Sequence, residues 1–260
     1  MSEDAFKKEG RYLYAVIDGT ERKNCGNIGI DGRKVYVIPN GSVSAVVSDI
    51  PDKKLRPERR NLAAHQEVLK KLMEVTTPLP VSFGIIADGP KAIQRILLQN
   101  QEALLGQLQR VADKVEMGVR VTWDVPNIFD YFVQTHPELK TARDRFFGTH
   151  REPTQEDKIE LGRMFGRILD EDRDIFAEKV EEVLLRYCFE IKRNKCRNEQ
   201  EVMNLACLVG QQAQGQFEEG IFEAAKLFDN NFAFDYSGPW APHNFVDIDF
   251  KIQALESTKT

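Results

Sequence analysis

The sequence predicts an α+β protein of two domains, and three observations lead there. Its 260 residues suffice for two hydrophobic cores, each from about 100 to 150 residues. Short apolar runs with strand character are interleaved with segments whose apolar residues recur every three or four positions, the mark of amphipathic helices. The order of these segments reads βββαβα and then βααβαβ, and small sandwiches of the ferredoxin-like kind fit both halves, although no internal repeat is visible in the sequence.

RYLYAVI is apolar and aromatic enough for a core strand, and the polar, Gly-rich DGTERKNCGNIGIDG that follows reads as a flexible connection. RKVYVIPN and GSVSAVVSD are two further strands joined through Pro39-Asn40-Gly41, whose Asn-Gly pair favours a tight hairpin. A helix follows in LRPERRNLAAHQEVLKKLMEV, with Pro57 in its first turn and Leu62, Val68, Leu69, Leu72 and Met73 along its apolar stripe. PLPVSFGIIADG is a fourth strand, and GPKAIQRILLQNQEALLGQLQRVA a second long helix with Ile93, Ile96, Leu97, Leu104, Leu108 and Val111 on one side. VEMGVRVTWD is a strand offering Val115, Val119 and Val121 to a core, and Met117 and Trp123 share their parity. A domain boundary is placed there, giving an N-terminal domain over 11–112, a C-terminal domain over 113–250 and a mobile tail over 251–260.

The second half predicts helix in PNIFDYFVQTHPELKTARDRF and then a long helix from Thr154, where Asp157 three residues on makes an N-cap pair. Apolar residues from Leu161 through Phe165, Ile168, Ile175, Val180, Val183 and Tyr187 to Ile191 predict a helix of about 38 residues, about 57 Å at 1.5 Å per residue. KRNKCR would put cations at its C-terminus, where the macrodipole favours them. EVMNLACLV is then a strand, GQFEEGIFEAAKLF a helix, and FAFDY and FVDID are strands flanking an aromatic, proline-stiffened corner, SGPWAPHN.

Composition narrows the function. A net charge of −5 and a pI near 5.6 argue against a dedicated nucleic-acid binder, whose phosphate-neutralising face makes a domain basic. MSEDAFKKEG begins with charges and has no apolar run of signal-peptide type, and no stretch approaches the roughly 20 apolar residues of a membrane span. The four cysteines, Cys25, Cys188, Cys196 and Cys207, form no CxxC pair and are expected to be reduced thiols in a cytoplasmic protein.

No catalytic constellation emerges. His65, His136, His150 and His243 are scattered; His65, between Leu62 and Leu69 on the apolar side of its helix, is read as a hydrogen-bonded core histidine because no metal-spaced second ligand accompanies it. The cysteine spacing matches no common zinc site. GNIG leads to a strand rather than opening a helix, which disfavours phosphate binding. The basic run of Lys53, Lys54, Arg56, Arg59 and Arg60 lacks interleaved aromatics and reads as a solvated helix start. Gly162 and Gly166, four apart and flanked by arginines, are read as a site of close helix packing. No cofactor or metal is expected; the competing reading is a small-molecule-binding or enzymatic α+β protein using His65 and a cysteine.

The order YLYAVI, SAVVSD, RRNLAAHQEVL, LPVSFG, VRVTWD and SGPWAPHNFV resembles the gas vesicle protein family GvpL/GvpF, from about Arg11 to Ile248. Ala241 and His243 depart from the proline and tyrosine frequent at those places in the family. The resemblance implies two α+β domains of modified ferredoxin-like type, the C-terminal one with the long helix, and a non-enzymatic role. It implies an accessory or minor structural protein required for gas vesicle formation, associated with the vesicle. The implied partners are the small hydrophobic shell protein and other accessory vesicle proteins. Within the corner, Trp240 and Phe245, held by Pro239 and Pro242, are expected either to lock the C-terminal strand to its domain or to form part of a partner-binding surface.

Overall fold

The computed structural model describes residues 10–19, 24–51, 54–148 and 152–247. Its contacts divide the chain into two compact units: one takes the chain up to Glu116 and again from Pro239 on, the other is Met117–Gly238. His150, Lys53 and the tail over 251–260 lie outside the described residues.

In the first unit, β1 (Gly10–Asp18), β2 (Asn24–Gly26), β3 (Val35–Asn40) and β4 (Val43–Ile50) build a sheet in the order β2-β3-β4-β1, all paired antiparallel. The hairpin expected at Asn40-Gly41 is present: Asn40 pairs with Val43, leaving Gly41 and Ser42 as the loop, with Gly41 at φ 61°. The register of β1 on β4 slips between Leu13 and Ala15, so that Tyr14 forms a bulge; its hydroxyl is 2.8 Å from Ser48 Oγ and accepts the Ile30 amide at 3.0 Å. That approach explains Gly29, where a Cβ would lie 2.7 Å from the Tyr14 hydroxyl. The Gly-rich connection is therefore packed against the sheet there, with only a three-residue 3-10 turn, Ile30–Gly32.

PLPVSFGIIADG is not one strand. Two short pieces, β5 (Leu79–Pro80) and β6 (Ile86–Ala87), each pair antiparallel with β1, and the chain leaves the ladder between them through Gly84 at φ 95°. Proline at position 80 has no N–H for a continuous ladder. Helix α1 (Arg59–Met73) begins after Glu58, so Pro57 stands outside its first turn. Its buried stripe is Asn61, His65, Val68, Leu69 and Leu72, whereas Leu62 is exposed. The second expected helix is two, α2 (Pro90–Gln99) and α3 (Gln101–Val111), because Asn100 leaves helical geometry at φ −116° and turns its side-chain amide onto the Ile96 carbonyl at 2.8 Å.

In the second unit, β7 (Lys114–Trp123) buries the whole odd set from Val115 to Trp123, Met117 included. Helices α4 (Ile128–Thr135) and α5 (Pro137–Phe147) precede the long α6 (Gln155–Leu184), whose Thr154 and Asp157 form the expected reciprocal capping box. At 30 residues α6 is shorter than predicted. The chain turns over Leu185–Tyr187 and enters a strand absent from the sequence reading, β8 (Glu190–Asn194), paired antiparallel with β9 (Glu201–Gly210). Tyr187, Phe189 and Ile191 also alternate with period two, and pairing with β9 wins over the helical period. KRNKCR consequently does not cap the helix: Arg193 lies in β8 and bonds Glu181 at 2.6 and 2.8 Å and Asp174 at 3.1 Å. Helix α7 (Gln214–Ala225) and β10 (Phe232–Trp240) complete the unit, in which the sheet order is β10-β7-β9-β8.

Gly162 and Gly166 on one side and Gly220 on the other behave oppositely. A Cβ at Gly162 or Gly166 meets nothing within 4 Å, so these positions are open and do not mark close helix packing. Gly220 of α7 does: a Cβ would lie 2.5 Å from Tyr187 Cδ2, and that ring is pinned by its hydroxyl donating to Glu223 at 2.7 Å. Gly220→Ala is expected to destabilise by about 1–2 kcal/mol, the overpacking exceeding the gain in helix propensity, whereas Gly162→Ala stabilises by up to about 1 kcal/mol. Urea midpoints of the two variants moving in the same direction would contradict this assignment.

Candidate functional site

The Gly-Pro-Trp corner is where the sequence concentrated its candidates, and the backbone there differs from expectation. β10 runs on through Gly238 and Pro239 to Trp240, instead of ending at Tyr236. It ends its sheet as an edge strand, where proline is tolerated because one side needs no ladder donor. The turn comes after Trp240, at Ala241-Pro242, and His243–Phe245 is a 3-10 turn, so the described part of FVDID is not a strand.

The residues of the corner divide by depth. Ala241 and Phe245 are buried, Ala241 within the core cluster of Tyr12, Tyr14, Val46, Val68 and Leu72, while Trp240 remains 46% exposed. Polar bonds fix the segment: the Asn244 amide donates to Glu116 Oε2 at 2.8 Å and its side chain to Oε1 at 2.6 Å, and Arg110 reaches the Phe245 carbonyl at 3.4 Å. Glu116 is itself buried, and both its oxygens are met by Asn244. This satisfies a carboxylate that its place in a core strand would otherwise leave costly. The sequence carried no signal for this anchor, since Glu116 and Asn244 are far apart in the chain.

His65 lies in the same unit at 2% exposure, with the rings of Tyr12, Tyr14 and Phe83 at 5.7, 5.5 and 6.0 Å. The Tyr12 hydroxyl is 2.8 Å from His65 Nδ1 and accepts the Gly84 amide at 3.3 Å. Burial, with a smaller repulsion from His243, pushes the imidazole down to about 4. Burial likewise raises Tyr12. An enclosed, neutral histidine bonded to a phenol serves packing and orientation; a base for an external substrate needs access that this ring lacks.

The remaining candidates are dispersed. Cys25 stands on β2 and packs against the first core; Cys188, Cys196 and Cys207 belong to the second unit. Among the described residues no group of three His, Cys, Asp or Glu side chains could hold a metal ion. Arg59 and Arg60 are exposed at the start of α1, Arg60 paired with Glu58 at 3.0 Å. Among the described residues no helix is long and apolar enough to cross a membrane.

Comparison with known proteins gives a consistent match. The family model of the gas vesicle synthesis protein GvpL/GvpF matches residues 10–247. Gas vesicle protein F of Dolichospermum flosaquae is 24% identical over 241 residues, covering 92% of this chain and 98% of that protein. Gas vesicle protein F of a Streptomyces species is 27% identical over 241 residues, covering 91% and 99%. The crystal structure of GvpF from Anabaena sp. PCC7120 shares the fold, with a TM-score of 0.78 at 23% identity over 92% of this chain and 99% of that one.

Proposed function

This chain belongs to the gas vesicle synthesis protein GvpL/GvpF family, and on that footing we propose that it is a non-enzymatic accessory or minor structural protein of gas vesicle formation. It binds the small hydrophobic shell protein and other accessory vesicle proteins during assembly, in the cytoplasm and in association with the vesicle. The observation that carries this reading is the corner itself: an aromatic side chain, Trp240, about half exposed on an edge strand whose continuation is bolted down by Phe245 and Asn244. A rigidly held, amphipathic tryptophan supplies contact area at low entropic cost. An acidic chain of net charge −5 stays soluble while holding an apolar partner.

The reading includes two domains, an N-terminal one over 11–112 and a C-terminal one over 113–250, of modified ferredoxin-like type. Its support in the second is the strand order β10-β7-β9-β8, which in units of chain order is fourth, first, third, second, with helices between the first and second and between the third and fourth strands. The contact division assigns the stretch from Pro239 to the first unit instead.

The test is co-purification of the tagged chain with the shell protein from a co-expressing cell. Wild type is compared with Trp240→Ala, whose folding is checked by circular dichroism. Capture lost by a folded Trp240→Ala supports the corner as the contact. Capture kept by that variant removes the corner from the interface, and no capture by wild type overturns the shell protein as partner.

A further inference from the structure

The sheet of the second unit has two edges, and they are defended differently. β8 carries Lys192 and Arg193, charges of the kind that discourage another strand from pairing there. β10 carries one charge along its whole length, that of Asp235, and its residues from Asp235 on are exposed. The Asp124 amide donates to the Asn231 carbonyl at 2.7 Å, and a Cβ on Gly118 would lie 3.0 Å from Ser237 Oγ, so β10 lies along β7 in one antiparallel register. In such a ladder the backbone groups of successive residues turn to opposite sides. Those of Ala233, Asp235 and Ser237 therefore meet β7, and those of Phe234, Tyr236 and Gly238 point outward from the edge.

We propose that this edge pairs with the same edge of a second copy of the chain, joining the two four-stranded sheets into one across a two-fold axis at Tyr236. An isologous antiparallel pairing sets each residue opposite the one equally far beyond the axis. Centred on Tyr236, it places Phe234 opposite Gly238 and Asp235 opposite Ser237. The charges decide for this register. The Asp235 side chain is 66% exposed and reaches Arg120 of its own sheet at 3.9 Å. Shifted to an axis at Asp235, the pairing would set two carboxylates face to face, which is destabilising; centred on Tyr236, each carboxylate meets a neutral residue. Shape agrees with charge. Gly238, at φ 129°, is bare where an L side chain would be strained, and the partly exposed Phe234 ring of the other copy covers it. The Tyr236 ring, 45% exposed, is held by its hydroxyl donating to Glu218 of α7. The paired stretch ends before Trp240, so it leaves the contact proposed above to that side chain. A ladder this short buries less than a standard interface, and the dimer is accordingly a weak one.

The experiment is sedimentation equilibrium of the full chain from about 1 to about 300 µM, the range in which a small interface dissociates. The expected result is a mass rising from 29.8 kDa towards twice that value. Tyr236→Lys sets two lysines opposite each other and should raise the dissociation constant at least about tenfold, whereas Asp235→Asn should leave it within about threefold. Circular dichroism checks that both variants are folded. On mild oxidation Tyr236→Cys should link to its own copy beyond the wild-type background, because residues facing each other in a hydrogen-bonded pair lie about 5.5 Å apart. Asp235→Cys, offset from its own copy by more than about 7 Å, should not. A chain that stays monomeric throughout overturns the proposal. So does a dimer that folded Tyr236→Lys leaves intact, a dimer tightened tenfold by Asp235→Asn, or linking of Asp235→Cys as readily as Tyr236→Cys.

Discussion

Phe245→Ala is expected to cost about 3–5 kcal/mol, the range for emptying a buried aromatic site. Phe245 has no exposed surface, so the truncation leaves a cavity. The loss is not confined to the ring. Asn244 next to it supplies the hydrogen bonds at 2.8 and 2.6 Å that satisfy Glu116, so any shift of the turn strands a buried carboxylate. Trp240→Ala, at a residue 46% exposed, removes less buried area and should cost clearly less. Urea denaturation followed by circular dichroism distinguishes the two. A Phe245→Ala loss below about 1 kcal/mol would place the side chain outside the core.

The second large effect is on acid stability. His65 is neutral in the folded protein down to about pH 4, while an ordinary histidine in the unfolded chain takes its proton near 6.5. Above pH 6.5 both states hold the ring neutral and the histidine adds no pH dependence. Below it the unfolded state binds a proton that the folded state refuses, so stability falls as the pH drops from about 6.5 towards about 4 and levels off beneath. The difference of about 2.5 pH units corresponds to about 3 kcal/mol. In His65→Gln the side chain can still hydrogen-bond the Tyr12 hydroxyl but does not titrate. The gap between wild type and variant should therefore change by about that amount across the window, all other groups cancelling. A gap constant from pH 7 to pH 4 would show that the ring titrates normally.

These two sites mark the limits of the sequence as a guide. The stripes of α2 and α3, that of α6 apart from Ile175, which is half exposed, and the N-cap at Thr154 are legible because they depend on residues within a turn or two of each other. The strand Glu190–Asn194 was missed because RYCFEIK satisfies two periods, and only its partner β9 decides between them. The break at Asn100 escaped for a related reason: one side chain bonding back onto a carbonyl is enough to interrupt an otherwise continuous apolar stripe. The stripe of its helix marks His65 as a core histidine, yet its partner, Tyr12, lies 53 positions away and no local pattern names it. In the corner, residue type alone singles out Trp240 and Phe245. Their different depths follow from a turn after Trp240 that the prolines alone do not specify.

The division of the chain carries a consequence for biosynthesis. Since the first unit includes the chain from Pro239 on, the second unit is an insertion within it. A ribosome delivers every residue of Met117–Gly238 before it delivers Ala241, which the first core buries, and Phe245, which is also buried. The inserted unit can therefore mature while the nascent chain is still tethered, and the first one stays open until the stretch from Pro239 has emerged. For that interval the apolar bed awaiting Ala241 is uncovered, a surface that a chaperone would shield.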